Sequence, residues 1–283
     1  MTSQVHITEF TDPTCPWAYN AEPRRLRLTW TYGDQLSWEV RMVVLSRSSE
    51  EILARYSLEA LEQAGAQIFQ EHGMPVSEKP YRAVGSIDAC RAVVAARHGQ
   101  PGAHRRLLRE LRHRFFAREA IDDPEVIARA ALAAGIDPQA LAGWLADPAT
   151  EAELARDMAL ARDPLPAALA LGHKLAAWDG GMRYTCPSLV FEAGGRTIAA
   201  PGFQPSESYD VAVANLAPGL KRRPPAEDAA ELLDWAQANG VGPLATVEVA
   251  TLMGVERDEA ILRLEAAGAH LEPLGADGFW SRV

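Results

Sequence analysis

The chain has 283 residues, 48% of them hydrophobic and 23% charged, with a formal net charge of −10. That balance suits a folded protein of one large domain or two, and it opposes a broad nucleic-acid or anionic-membrane surface. No apolar run is long enough to span a bilayer and the first residues lack the regions of a signal peptide, so the expected compartment is the cytoplasm. Three cysteines, Cys15, Cys90 and Cys186, are too few for a disulfide framework.

Val5 to Phe10 reads as a buried strand and Pro16 to about Tyr32 as a helix, with a turn at Gly33-Asp34. Leu36 to Leu45 alternates through Trp38, Val40 and Met42 and predicts a second strand, so the first three elements suggest a parallel βαβ unit. From Ser49 to about Trp178 the pattern turns helical, with apolar stripes at Leu58, Leu61, Ile68 and at Leu107, Leu111, Phe115. Asp123-Pro124, Asp137-Pro138 and Asp147-Pro148 each place an N-cap aspartate before a first-turn proline, and Gly135 closes the first of these helices. This region reads as an all-helical insertion. Strand character returns at Ser188 to Glu192, turns at Gly194-Gly195 and comes back over Arg196 to Ala200 as a hairpin. Ser206 to about Leu216 is a closing helix, and Pro218 to Pro225 a linker.

The last segment reads as a small separate unit of three helices and a hairpin tipped by Ala276-Asp277-Gly278, with the element order of a winged helix. Its presumed recognition helix carries Glu256, Asp258, Glu259 and Glu265 against Arg257 and Arg263, which argues for protein contact or intrachain packing over DNA binding.

Chemistry concentrates at Asp12-Pro13-Thr14-Cys15-Pro16-Trp17-Ala18-Tyr19. A Pro-started helix would hold the Cys15 sulfur at a helix N-terminus, where free N–H groups and the macrodipole favour a thiolate. The plainer alternative is a buried small hydrophobe. Ala18 stands where a C-x-x-C pair would have its second thiol. Asp12 can accept a hydrogen bond or shuttle a proton near the site, or simply serve its Asp-Pro turn. Pro16 and Trp17 offer apolar surface to a substrate, and Tyr19 can donate to a bound thiolate or pack as an ordinary helix residue. Cys90 reads as core. The arginines between His104 and Arg118 form a basic face, able to attract the carboxylates of a small thiol but more simply a solvated face. His113 and His173 have no partner at metal-ligand spacing.

The Asp12 to Trp17 stretch, with Cys186-Pro187-Ser188-Leu189-Val190, resembles the DsbA-type branch of the thioredoxin superfamily. FrnE-like dithiol oxidoreductases are the nearest in appearance, with kappa-class glutathione transferases and 2-hydroxychromene-2-carboxylate isomerases in the same branch. The resemblance covers roughly residues 4 to 217 and implies an α/β thioredoxin fold with a large helical insertion, to which the small C-terminal winged-helix-like domain is added. The expected divisions are residues 1–217 with the insertion at about 49–180, a linker at 218–226, and the last domain at 227–283. The resemblance further implies that Cys15 is the nucleophile, that Pro187 is cis beside it, and that Cys186 faces it.

Cys186 can then act in three ways: as a non-adjacent resolving thiol, as half of a soft-metal or metalloid site with Cys15, or as apolar filler. The expected function is thiol–disulfide exchange on a protein or small-molecule thiol or disulfide. A glutathione-like thiol-dependent transferase or isomerase is one alternative, and a metal-binding or redox-sensing protein is another. No resident cofactor is required, although glutathione or a related thiol can take part. No membrane or nucleic-acid partner is expected, and homodimer formation is left open.

Overall fold

The computed structural model describes residues 5–282, so the outer ends of the two expected domains, residues 1–4 and 283, lie outside the described residues. A first strand β1 (Val5–Thr11) leads into α1 (Pro16–Asn20) and α2 (Glu22–Tyr32), then β2 (Leu36–Met42). The expected single helix over 16–32 is broken at Ala21 because Pro23, in the first turn of α2, has no N–H to continue the α1 ladder. The second strand stops at Met42, short of the expected Leu45. Val44 adopts a left-handed backbone with φ 58°, a strained choice for a β-branched residue that turns the chain out of the sheet.

Seven helices follow: α3 (Ser49–Leu53), α4 (Leu58–His72), α5 (Ile87–Gly99), α6 (Ala103–Phe116), α7 (Pro124–Ala133), α8 (Pro138–Leu145) and α9 (Pro148–Ala161). Asp123, Asp137 and Asp147 cap α7, α8 and α9 as expected, each side chain accepting from the backbone N–H two residues on. A short α10 (Pro166–Leu169) ends the helical layer before residue 180. The small hairpin of β3 (Leu175–Trp178) and β4 (Gly181–Tyr184) was not expected, although Asp179-Gly180 at its tip is a turn signal.

β5 (Ser188–Ala193), β6 (Arg196–Ala200) and α11 (Ser206–Leu216) complete the first domain. The main sheet has the order β2-β1-β5-β6. β1 and β2 are parallel, from Val5 opposite Leu36 to Thr11 opposite Met42, while β5 runs antiparallel to both β1 and β6. β1 is therefore a central strand, and its C-terminal end delivers Cys15 directly above the sheet. Among the described residues no helix is long and apolar enough to cross a membrane.

The C-terminal segment comprises α12 (Ala229–Ala238), β7 (Leu244–Ala245), α13 (Thr246–Met253), α14 (Arg257–Ala266), β8 (His270–Leu274) and β9 (Asp277–Ser281), with its strands in the order β7-β9-β8. It is not detached. Leu26 and Trp30 of α2 share a core with Leu232, Val249, Leu252 and Leu264.

The same contact explains a correction on α6, whose arginines are not all solvated. Arg109 and Arg112 are buried. Arg109 makes a two-pronged pair with Glu248 of α13, both bonds 2.7 Å, and Arg112 pairs with Glu22 of α2 and with Glu9 and Thr11 of β1. Burial alone would raise the Glu22 pKa, but Arg25, Arg112 and Arg109 hold it well below the usual carboxylate range. Glu248 also accepts from the Ala245 backbone N–H at 2.8 Å.

Removing one partner of such a pair leaves a buried charge uncompensated. Glu248→Ala is expected to lower the unfolding free energy by about 3–5 kcal/mol, measured by urea denaturation; an unchanged midpoint would contradict a structural role for this pair.

Candidate active site

Pro16 starts α1 and Cys15 is its N-cap, with extended backbone angles of φ −76° and ψ 116°. Proline at the first helical position loses no hydrogen bond, so the Cys15 sulfur sits beside free N–H groups at the helix start. The Cys186–Pro187 peptide is cis. It brings the start of β5 against the cysteine, and the Cys15 Sγ donates to the Cys186 carbonyl oxygen at 3.2 Å. Cys15, Cys90 and Cys186 are all free thiols and all buried.

The two apposed thiols differ in acidity. A hydrogen bond from the Cys186 side chain lowers the Cys15 pKa, against the opposing effect of burial, and the Ala18 and Trp17 backbone N–H groups add to the lowering. The Asp12 charge acts in the other direction. Burial pushes the Cys186 thiol far up, and its neighbour Cys15 pushes it further. The two shifts run in opposite senses: the site makes Cys15 more acidic and Cys186 less so. Among the described residues no group of three or more histidine, cysteine or acidic side chains is gathered as for a metal ion.

Two expected substrate contacts are corrected. Asp12 is fully buried, and its carboxylate is already occupied. One oxygen accepts from the Thr14 N–H at 2.8 Å and hydroxyl at 2.7 Å; the other accepts from the Leu45 N–H at 2.8 Å and the Ser86 hydroxyl at 2.7 Å. It clamps the Cys15 loop to the chain leaving β2, where Val44 has just turned. Cys90 donates to the same carboxylate at 3.5 Å, so this core cysteine has a polar neighbour.

Tyr19 is also fully buried. It stacks on Phe116 with ring centroids 4.2 Å apart, and its hydroxyl donates to the Pro75 carbonyl at 2.8 Å, not to a thiolate.

Trp17 is exposed, as expected, and packs edge-on against Phe203 at 5.0 Å and near His72 at 5.6 Å. Pro16 and Thr14, on either side of Cys15, form part of the wall of a cavity of about 210 Å³ that continues to Leu61, Phe69, Phe115 and Arg183. His72, Phe203 and Arg183 were missed in the sequence. Each comes from a different segment, and nothing local marks any of them.

Because the Asp12 charge opposes ionisation of Cys15, Asp12→Asn is expected to lower the pH midpoint of Cys15 thiolate formation, followed by ultraviolet absorbance in a variant lacking the other two thiols. A midpoint that stays or rises would show that the Asp12 charge does not reach the sulfur.

Residues 6–164 match the model of the DSBA-like thioredoxin domain. No curated protein matches the chain. Among solved structures, a putative protein disulfide isomerase from Nitrosomonas europaea is 14% identical with a TM-score of 0.58, covering 75% of this chain and 97% of that one. A probable DsbA oxidoreductase from Streptomyces coelicolor is 22% identical with a TM-score of 0.56, covering 80% and 95%. The cytosolic disulfide reductase DsbM from Pseudomonas aeruginosa is 15% identical with a TM-score of 0.52, covering 72% and 91%. At these identities the three structures speak for the fold alone. The family match runs over more than half of the chain and takes in most of β1, Cys15 and β2, so the chain belongs to the DSBA-like thioredoxin domain family.

Proposed function

We propose that this protein is a thiol–disulfide oxidoreductase working from a single nucleophile, Cys15. The observation that carries the reading is the position of its sulfur, at the start of α1 and against the Cys186–Pro187 loop, where its pKa is lowered by a hydrogen bond from Cys186 and by the Ala18 and Trp17 N–H groups against the opposing effect of burial. The reductase and isomerase descriptions of structures with the same fold support it.

In the first step the Cys15 thiolate attacks one sulfur of a disulfide. A bond forms between Cys15 and that sulfur, the substrate S–S bond breaks, and the other sulfur leaves as a thiolate. In the second step an external thiolate attacks the mixed disulfide and Cys15 leaves, again as a thiolate. No electron is gained or lost overall, because one disulfide and one thiol are exchanged for another pair.

Ala18 cannot perform the second step. Cys186 is placed against Cys15, but its proton is held by burial, so in the resting site it serves as hydrogen-bond donor to the thiolate rather than as nucleophile. Release therefore falls to a small thiol such as glutathione. A cytoplasmic setting, where such thiols are kept reduced, suits this cycle.

Two variants test the assignment. Cys15→Ser is expected to abolish thiol transfer. In the native chain, Cys15 alkylation by iodoacetamide should rise with pH through a midpoint below about 8.5, the value for a free cysteine. Cys186→Ala removes the hydrogen bond that favours the thiolate, so the same midpoint should move upward. A Cys15→Ser protein that still transfers thiols overturns the nucleophile; an unmoved midpoint in Cys186→Ala removes Cys186 from the mechanism.

A further inference from the structure

The cavity beside Cys15 has a composition that thiol exchange alone does not require. Its walls are apolar and largely aromatic, with Leu61, Phe69, Tyr81, Phe115 and Phe116 among them. Three arginines line it as well: Arg55, which pairs with Glu51, and Arg118 and Arg183. Neither Arg118 nor Arg183 forms an ion pair among the described residues, although the Glu62 charge acts on Arg118. The Arg118 guanidinium lies over the Tyr81 ring at 5.3 Å and its Nε donates to the Lys79 carbonyl at 3.3 Å. Arg183 donates only to the Tyr184 carbonyl, at 2.9 Å.

The charge excess extends behind Arg183. Burial lowers the Arg162 pKa, and the charges of Arg183 and Arg47 lower it further against that of Glu51. The positive field of Arg183 also reaches Cys186. A protein of net charge −10 thus gathers arginines, two of them without an ion pair among the described residues, at a cavity whose wall includes Thr14 and Pro16, the neighbours of Cys15. Cations of this kind attract anions to a cleft whose walls have a low dielectric.

Size narrows the occupant. An apolar cavity of about 150 Å³ takes one benzene. At about 210 Å³ this one takes a single ring with its substituents, or an alkyl chain of similar bulk, and not the several side chains of a peptide.

We propose that this cavity binds the non-reacting arm of a small thiol or disulfide that carries an aromatic or branched apolar group and a carboxylate. The apolar group lies against Phe69, Phe115 and Phe116, and the carboxylate meets Arg183 or Arg118. Thr14 and Pro16, which flank Cys15 in the chain, line the cavity, so the sulfur of the same molecule passes them to meet the nucleophile. This inference rests on the assignment of Cys15 as nucleophile.

The test uses two aryl disulfides of similar bulk: dithiobis(nitrobenzoate), which carries carboxylates, and dithiodipyridine, which is neutral at the working pH. With either, the Cys15 thiolate attacks, an aryl mixed disulfide forms, the reagent S–S bond breaks and one coloured aryl thiol or thione is released. The rate is read from that colour after subtracting the Cys15→Ser background. In the native protein the ratio of anionic to neutral rate should exceed that of free cysteine and should fall as salt is added. Arg183→Gln and Arg118→Gln should together lower that ratio by about tenfold, the scale of one lost charge-assisted contact. Gly65→Leu, which fills the cavity from α4, should slow both reagents relative to iodoacetamide.

A native ratio equal to that of free cysteine, or one untouched by the arginine substitutions, overturns the proposal while leaving Cys15 as nucleophile. Faster exchange with an apolar peptide disulfide than with the anionic reagent also overturns it and gives the cavity to protein substrates. A Cys15→Ser protein that reacts like the native chain overturns the nucleophile assignment instead.

Discussion

Everything near the site is held by a chain of charges that water does not reach. Glu9, Arg112, Glu22, Arg109 and Glu248 follow one another through β1, α6, α2, α6 again and α13. Taking these groups out of water costs several kcal/mol each, and the cost is offset only when every charge keeps its partners. The position of α6 is therefore not free to drift relative to β1 and α2. Those two elements flank α1, so the network also fixes the angle at which Cys15 is presented. The C-terminal segment takes part through Glu248, which is why it behaves as a wall of the same molecule rather than as an attached module.

The parts of this structure that were legible in the sequence are those written in local chemistry. Asp-Pro pairs cap helices because the aspartate accepts a backbone N–H and the proline has none to lose; all three pairs did so. Gly194 and Gly195 both take positive φ at the β5–β6 turn, a geometry their sequence announces. The placement of Cys15 before Pro16 likewise marked the start of α1. What was not legible depends on distant partners. Arg109 and Arg112 look like members of a solvated basic helix until Glu22 and Glu248, far away in sequence, are brought beside them. Asp12 looks available until Leu45 and Ser86 occupy it. Tyr19 is one turn from the nucleophile in sequence, yet Phe116 stacks on its ring and the Pro75 carbonyl takes its hydroxyl. Each misreading has the same origin: a polar side chain was assigned to solvent or substrate when the fold had already supplied its partner.

The placement of the second sulfur has a mechanistic consequence. In a C-x-x-C motif the releasing thiol lies on the same helix as the nucleophile, one turn along. Here that position is Ala18, buried beside Pro187 and Glu9 in a space of about 10 Å³, and the second sulfur comes instead from the loop opposite. A thiol on the facing loop can lend its proton to the Cys15 thiolate, but it gives that stabilisation only while it stays protonated. The same burial that keeps Cys186 protonated keeps it from attacking. Stabilising the nucleophile and releasing the product thus become competing demands on one side chain, and the acidity difference between the two thiols resolves the competition in favour of stabilisation. On the proposed cycle, release then comes from an external thiol. Cys15 is only 5% exposed, with the exposed Trp17 next to it in the chain.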